Sequence, residues 1–241
     1  MTELLYMPDN EYQKEFDSEV SKVDEEKAYI CLEETLFYRQ GGGQPADKGE
    51  ISWNGETADV VDVQKENGEI RHYLEDFDSL PGVGEKVHGE IDWERRYKHM
   101  RMHTAQHLLS WIVLNRYDAA TVGNQMHEDY SRIDFQPITF SQENLQKIEN
   151  QANALIEKAL EVEKKYMDRE LVEEKVEEGR TNLDIIPKGV DPLRMIIIGG
   201  QDLCPCGGTH VDNIDEIGKI KITGRETKGS DKDRIKFELE E

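Results

Sequence analysis

The apolar residues of this chain change their spacing once, near Trp93, and no other feature limits the possible folds as much. Before that point, short apolar runs are separated by tight turns. Asn54-Gly55 divides Glu50–Trp53 from Thr57–Gln64, and Asn67-Gly68 divides that run from Ile70–Leu74. Asn-Gly between apolar runs is a strong hairpin signal, because both central positions of the favoured turn need φ > 0. Pro81-Gly82 adds a third turn ahead of Lys86–Trp93, in which Val87, Gly89 and Ile91 alternate with His88, Glu90 and Asp92. Short strands spaced by about 8–12 residues predict a small barrel or sandwich.

After the change, Glu94 to Tyr117 contains neither Gly nor Pro. Tyr97, Met100, Thr104, Leu108, Trp111 and Leu114 recur there at three- and four-residue steps, which predicts one amphipathic helix. A second helix is expected from Ser141, a good N-cap, to Tyr166. Its apolar stripe is Leu145, Ile148, Ala152, Leu155, Ala159 and Val162, opposite a solvated face of Glu, Gln and Lys. Glu170–Gly179 reads as an acidic helix or loop that only solvates, and Met195–Ile198 as a buried strand. Ile220 and Ile222, then Ile235, Phe237 and Leu239, alternate with charged residues and predict a hairpin around a long loop, Gly224–Asp233. The fold class expected is therefore α+β: a small β-barrel domain over residues 1–93, then an α+β domain over 94–241.

Hydrophobic residues (36%) together with 19 Gly among 241 residues are enough to bury a core. Against 52 Asp and Glu there are only 30 Lys and Arg, a net charge of −22. Global attraction to a polyanion is thereby excluded, so any nucleic-acid partner must be met by a local basic patch. Three Cys in this length exclude a disulfide scaffold, and Cys204 and Cys206, separated only by Pro205, suit a metal or a reduced compartment. The segment MTELLYMPDNEYQKEF carries acids from its third residue and lacks the apolar stretch of a secretory leader. Met195–Ile198, the longest apolar run, falls far short of the ~20 residues that span a bilayer. These features predict a cytoplasmic protein with no membrane or DNA partner; a monomer or weak homo-oligomer is expected, although nothing in the sequence fixes the oligomeric state.

His103 and His107 lie four apart on the first predicted helix, hence on one face and one turn apart. Cys206 and His210 are also four apart, in Cys204-Pro-Cys-Gly-Gly-Thr-His210, where Gly207-Gly208 lets both side chains turn toward one point. Either pair alone is as compatible with packed or surface residues as with ligands. Together they form a Cys1His3 set suited to zinc, one ion per chain, since a structural zinc usually draws its ligands as two such spaced pairs. His99, on the same helical face, counts as a decoy. HTAQH lacks the Glu that serves as base in the zinc-protease motif, and the glycine-rich segment Gly41–Gly49 lacks the Gly-Lys-Ser/Thr end of a nucleotide loop. That segment reads as a tight loop whose backbone approaches something closely, or as packing alone. Basic residues cluster in two places: Arg95, Arg96, Lys98 and Arg101 on the histidine helix, and Lys219, Lys221, Arg225, Lys228, Lys232 and Arg234 after the CGGTH loop. Beside metal ligands such clusters suggest a phosphate-bearing ligand; the alternative is ordinary surface charges paired with neighbouring acids.

DWERRYKHMRMHTAQHLL, CPCGGTH and TLFYRQGGGQPADKG, in their relative order, resemble the AlaX family, the freestanding relatives of the alanyl-tRNA synthetase editing domain. The glycine-rich N-terminal segment resembles the medium-length class, with a β-barrel ahead of a catalytic domain of the type shared with threonyl-tRNA synthetase editing modules. The resemblance covers nearly the whole chain. It implies hydrolysis of the ester of mischarged tRNA(Ala), chiefly Ser-tRNA(Ala), with Gly-tRNA(Ala) as a further substrate. Carried onto this sequence, His103, His107, Cys206 and His210 match the zinc ligands, and Thr35 matches a position associated with sensing the serine hydroxyl. The resemblance further implies that Gly41, Gly42, Gly43 and Gln44 abut the active site. The catalytic set expected is Thr35, Gln44, His103, His107 and Cys206. Arg95, Arg96, Arg101, Arg225, Lys228 and Arg234 would contact the tRNA together with Gly41–Gly43. Thr121 and Asn124 depart from the synthetase pattern, where Gln and Ser flank the Gly matching Gly123, so no contact is carried over from that stretch.

Alanine and serine differ by one hydroxyl, and a site that accepts alanine cannot strongly reject so small an addition. A second site that hydrogen-bonds the hydroxyl can, because alanine leaves its buried polar groups unpaired. If three side chains bind zinc, the open position holds a water whose pKa falls toward ~7. If all four bind, the ion positions and polarises the ester; this is the reading preferred, with water activation unassigned. The alternatives are a zinc-stabilised tRNA-binding module without turnover and a zinc hydrolase of another small ester or amide.

Overall fold

Asn54 and Gly55 have φ of 47° and 86°, and Asn67 and Gly68 have 52° and 85°, so both Asn-Gly pairs form the hairpin turns that their chemistry favours. The computed structural model describes residues 2–7, 10–75 and 77–240. The chain divides into two compact units, Met1–Lys98 and His99–Glu241.

In the first unit, β1 (Glu3–Leu4) pairs in parallel with β4 (Glu34–Thr35). A closed six-stranded barrel runs in the order β2 (Glu15–Asp24), β3 (Tyr29–Leu32), β7 (Glu69–Glu75), β6 (Glu56–Glu66), β5 (Gly49–Trp53), β8 (Lys86–Ile91). Closure removes the free sheet edges that an open sheet would expose. The alternation read in the sequence is the barrel's inside and outside: Val87, Gly89 and Ile91 are buried and Lys86, His88 and Glu90 are exposed. Ile30, Leu32, Phe37, Ile51, Val60 and Val63 fill the interior.

Helix α1 (Trp93–Tyr117) starts where the period changes, while the compact units divide between Lys98 and His99. In the second unit an antiparallel sheet runs β14 (Lys219–Thr227), β15 (Asp233–Glu240), β10 (Ser131–Gln136), β9 (Ala120–Met126). A second sheet runs β11 (Val162–Met167), β12 (Leu193–Ile198), β13 (Asp202–Pro205). Every residue of β12 is buried. The short helix α3 (Arg169–Lys175) buries Val172 against Leu193 and Met195. Among the described residues no helix is long and apolar enough to cross a membrane.

The structure departs from the sequence expectations at three elements of this unit. Glu170–Gly179 does more than solvate, since α3 buries Val172, an apolar residue hidden in the sequence among acids. The second helix, α2 (Gln142–Ile156), starts at the Ser141 capping box as expected but ends well before Tyr166. Ala159 adopts φ of 50°, which stops a right-handed helix, and Val162 pairs with Ile198 to open β11. In the C-terminal hairpin, β14 continues through Gly224 to Thr227 by way of an irregularity after Ile222. Arg225, Glu226 and Thr227 pair with Ile235, Arg234 and Asp233, so only residues 228–232 connect the strands. Charged residues on both strands hid this pairing from a hydrophobic pattern.

Candidate metal centre

Helical geometry sets His103 and His107 one turn apart, with ring centroids separated by 5.0 Å and both rings buried. The other half of the centre leaves the second sheet at the end of β13. Cys204 still pairs with Ile196 of β12, and Cys206 is the first residue beyond the strand. Arg194 holds the departing loop: its Nη1 donates to the carbonyls of Cys206 (2.9 Å) and Gly208 (2.8 Å), and its own carbonyl accepts from Cys206 N (3.0 Å). The Gly208 N–H turns back onto Cys206 Sγ at 3.4 Å. His210 then completes a triangle of rings with the helical histidines, tilted against His103 at 4.2 Å and edge-on to His107 at 4.6 Å by ring centroids.

One ligand atom from each of His103, His107, Cys206 and His210 lies within 4.8 Å of all the others. His103 Nε2 and Cys206 Sγ are 3.5 Å apart. Nitrogen and sulfur ligands at ordinary zinc distances and a tetrahedral angle stand about 3.5 Å apart, so this edge already has the separation that an ion requires. His210 Nε2 is buried with no hydrogen-bond partner among the described residues, as expected of a lone pair kept for an ion. Burial holds His103 neutral, with its pKa lowered to about 3, and pushes those of His107 and His210 well below the usual imidazole value. Neutral imidazoles are the form that binds metal. The residues present thus fit a zinc ion, and no carboxylate belongs to the cluster among the described residues.

The two neighbouring cysteines have different fates. Cys204 is buried in the sheet and its thiol is pushed up to about 12 by burial, which leaves it a small apolar residue. His99 is buried and stands outside the cluster. Arg180 and Asp202 form a buried ion pair beside the site, with Nε–Oδ1 of 2.6 Å and Nη2–Oδ2 of 2.7 Å, and Arg180 Nη2 reaches the His107 carbonyl at 3.4 Å. Arg180, Asp202 and Arg194 carry no motif, and sequence reasoning missed them.

The basic residues are placed less simply. Arg96 is wholly buried, with its guanidinium on both Asp47 carboxylate oxygens and on the carbonyls of Leu36 and Glu11. It is a core residue of the first unit, which corrects its assignment to a tRNA-facing patch. Arg101 donates to Ile217 O, Arg225 meets Asp233, Lys228 meets Glu226 and Arg234 holds Asp134 at 2.6 Å. Arg95 donates to Ala46 O.

Thr35 is buried in the first unit, its hydroxyl 2.9 Å from His72 Nε2. Gln44 is buried as well, and its backbone pairs with Gly41 in both directions, at 2.9 and 3.1 Å. Between them Gly42 and Gly43 take φ of 58° and 89°, a two-residue turn that needs residues free to adopt φ > 0. A Cβ on Gly42 would meet nothing within 4 Å. The conformation of the turn, not a close approach by the chain itself, therefore accounts for glycine at that position.

Residues 7–95 match the class II (A) tRNA synthetases, and residues 193–236 match the second additional domain of threonyl and alanyl tRNA synthetases. The chain is 37% identical to an alanyl-tRNA editing protein AlaX-M of Methanosarcina barkeri, over 99% of each chain. It is 38% identical to another of that name from Methanosarcina mazei, over 99% of this chain and 97% of the relative. It is also 38% identical to an alanine–tRNA ligase of Halorubrum lacusprofundi, covering 98% of this chain but 25% of that enzyme.

Proposed function

Because this chain belongs to the AlaX family of alanyl-tRNA editing proteins, we propose that it hydrolyses, in trans, the ester of tRNA(Ala) carrying the wrong amino acid, chiefly serine. The end-to-end likeness to AlaX-M proteins carries this reading, and the buried His103, His107, Cys206 and His210 cluster supports its chemistry.

A zinc ion held by those four side chains would polarise the ester carbonyl and orient the aminoacyl end. The chain's own residues prepare that position. The three imidazoles stay neutral through burial, and Arg194 fixes the backbone on either side of Gly207, so that Cys206 Sγ and the His210 ring face the helix. Arg180, anchored on Asp202, steadies the His107 end of the helical pair.

Selection against alanine is assigned to Thr35. The lone pair that Thr35 keeps beside its bonds to His72 and Phe37 could accept from a serine hydroxyl, a hydrogen bond that alanine cannot make. The Gly41–Gln44 turn is assigned to the aminoacyl-adenosine end. Arg95, Arg101, Arg225, Lys228 and Arg234 are assigned to tRNA phosphates; at a net charge of −22 they must act locally.

The test is release of labelled serine from Ser-tRNA(Ala), beside Ala-tRNA(Ala), by the zinc-loaded protein and by the His103→Ala/His107→Ala variant. Selective serine release that the variant loses is the expected result. No release by folded, zinc-loaded protein would overturn the activity, and full release by a zinc-free variant would overturn the role of the metal.

A further inference from the structure

Thr104 lies between the two helical histidines, wholly buried, and three polar groups converge on its hydroxyl. Val211 N is 3.3 Å from Oγ1, the Met100 carbonyl oxygen is 3.0 Å away, and His210 Nδ1 is 3.1 Å away. A hydroxyl has one proton and two lone pairs. The Val211 amide can only donate and the Met100 carbonyl can only accept, so one lone pair is taken by Val211 and the proton points to Met100. The remaining lone pair faces His210 Nδ1, which must then carry the imidazole proton.

The opposite tautomer is disfavoured at the other end of the ring. A proton on His210 Nε2 would be buried with no acceptor among the described residues, and an unmet buried donor costs about 1–3 kcal/mol. It would also occupy the lone pair directed at the cluster.

We propose that Thr104 is a positioning residue that sets the tautomer of His210 and so presents its Nε2 lone pair to the metal. This rests on the reading of the cluster as a metal site. The hydroxyl ties the loop half of the site to the helix that carries the other half, because it sits on α1 while its partners His210 and Val211 belong to the loop. Outer partners of metal-bound histidines fix ring orientation and tautomer, and their loss typically weakens metal binding by about 10–100-fold.

Zinc affinity, measured by competition with a chromophoric chelator on the full chain, should fall by about 10–100-fold in Thr104→Val and recover in Thr104→Ser, which keeps the hydroxyl. Nitrogen-15 histidine spectra of the metal-free wild type at neutral pH should show His210 protonated at Nδ1. A Thr104→Val protein that binds zinc as tightly as wild type would overturn the proposal. So would a wild-type His210 protonated at Nε2, a measurement that stands even if Thr104→Val fails to fold. A wild type that binds no zinc would overturn the metal reading itself, a different result from normal wild-type binding that the variant shares.

Discussion

Thr35 Oγ1 and His72 Nε2 are 2.9 Å apart inside the barrel unit, and the groups around them fix the proton between them. His72 Nδ1 faces the Ile30 carbonyl at 3.3 Å, which can only accept, so Nδ1 carries the ring proton and Nε2 accepts from the Thr35 hydroxyl. The Phe37 N–H donates to the same hydroxyl at 3.1 Å. Thr35 therefore has one lone pair left, able to accept but with no proton to give.

His72 should make stability depend on acidity. Burial lowers its pKa from 6.5 to about 4. As pH falls from 6.5 toward 4, the unfolded chain takes up a proton that the folded chain refuses. His72 thus imposes no penalty above pH 6.5, and stability is lost progressively below it, by about 3 kcal/mol in all. Urea unfolding at pH 7 and pH 5 should show wild type losing about 2 kcal/mol more than His72→Gln over that interval. Equal losses in the two proteins would exclude His72 as the source. The cluster histidines act in the same direction but are common to both.

Asp47→Ala would leave the Arg96 guanidinium buried without its carboxylate, since neither side chain is exposed. Breaking one side of a buried pair costs about 3–5 kcal/mol. Thermal unfolding should place this variant far below wild type, with Asp47→Ala/Arg96→Met recovering part of the loss. A single variant as stable as wild type would mean that the Leu36 and Glu11 carbonyls alone satisfy Arg96.

Gly89→Ala and Gly42→Ala should fail for different reasons. A Cβ on Gly89 would stand 2.3 Å from Cε1 of the Phe16 ring, which lies across it in the paired strand. Overpacking of that kind costs about 1–3 kcal/mol. At Gly42 there is open space, and only the φ of 58° opposes a side chain, a cost of about 1–2 kcal/mol. Gly42→Asn, which tolerates that conformation, should recover most of the Gly42 loss in chemical unfolding, whereas Gly89→Asn should recover nothing.

Cys206→Ser should weaken zinc binding by at least about 100-fold, the upper end of what losing an outer partner costs. Cys204→Ser should leave zinc binding near wild type, because Cys204 lies in the sheet outside the cluster. Metal content after dialysis of the two variants separates these outcomes.

The four cluster residues were legible because each pair is local: a helix turn spaces His103 and His107, and Gly207-Gly208 lets Cys206 and His210 converge. The Asn-Gly turns were legible for the same reason. Arg96 was not. It stands in a row of basic residues on α1, but consecutive helical positions point in different directions, and the carboxylate that draws it inward is 49 positions away in the chain. Arg180 and Asp202 likewise acquire their meaning only as a pair formed on folding. The end of α2 was hidden because Ala159 and Val162 continue a helical stripe by identity while one takes φ > 0 and the other enters a strand.

An ion at this centre would also fasten the chain to itself. His107 and Cys206 are 99 positions apart, counting 206 minus 107. A fastening across about 100 residues restricts the unfolded chain by roughly 4.7 kcal/mol on the loop-entropy account developed for cross-links. It also imposes an order on biosynthesis. The helical half of the centre leaves the ribosome about a hundred residues before the loop half, so four-fold capture of the ion waits for the segment ending at His210. A chain broken off before Cys206 would lack half of the ligand set, and with it the fastening, while β14 and β15 still follow His210.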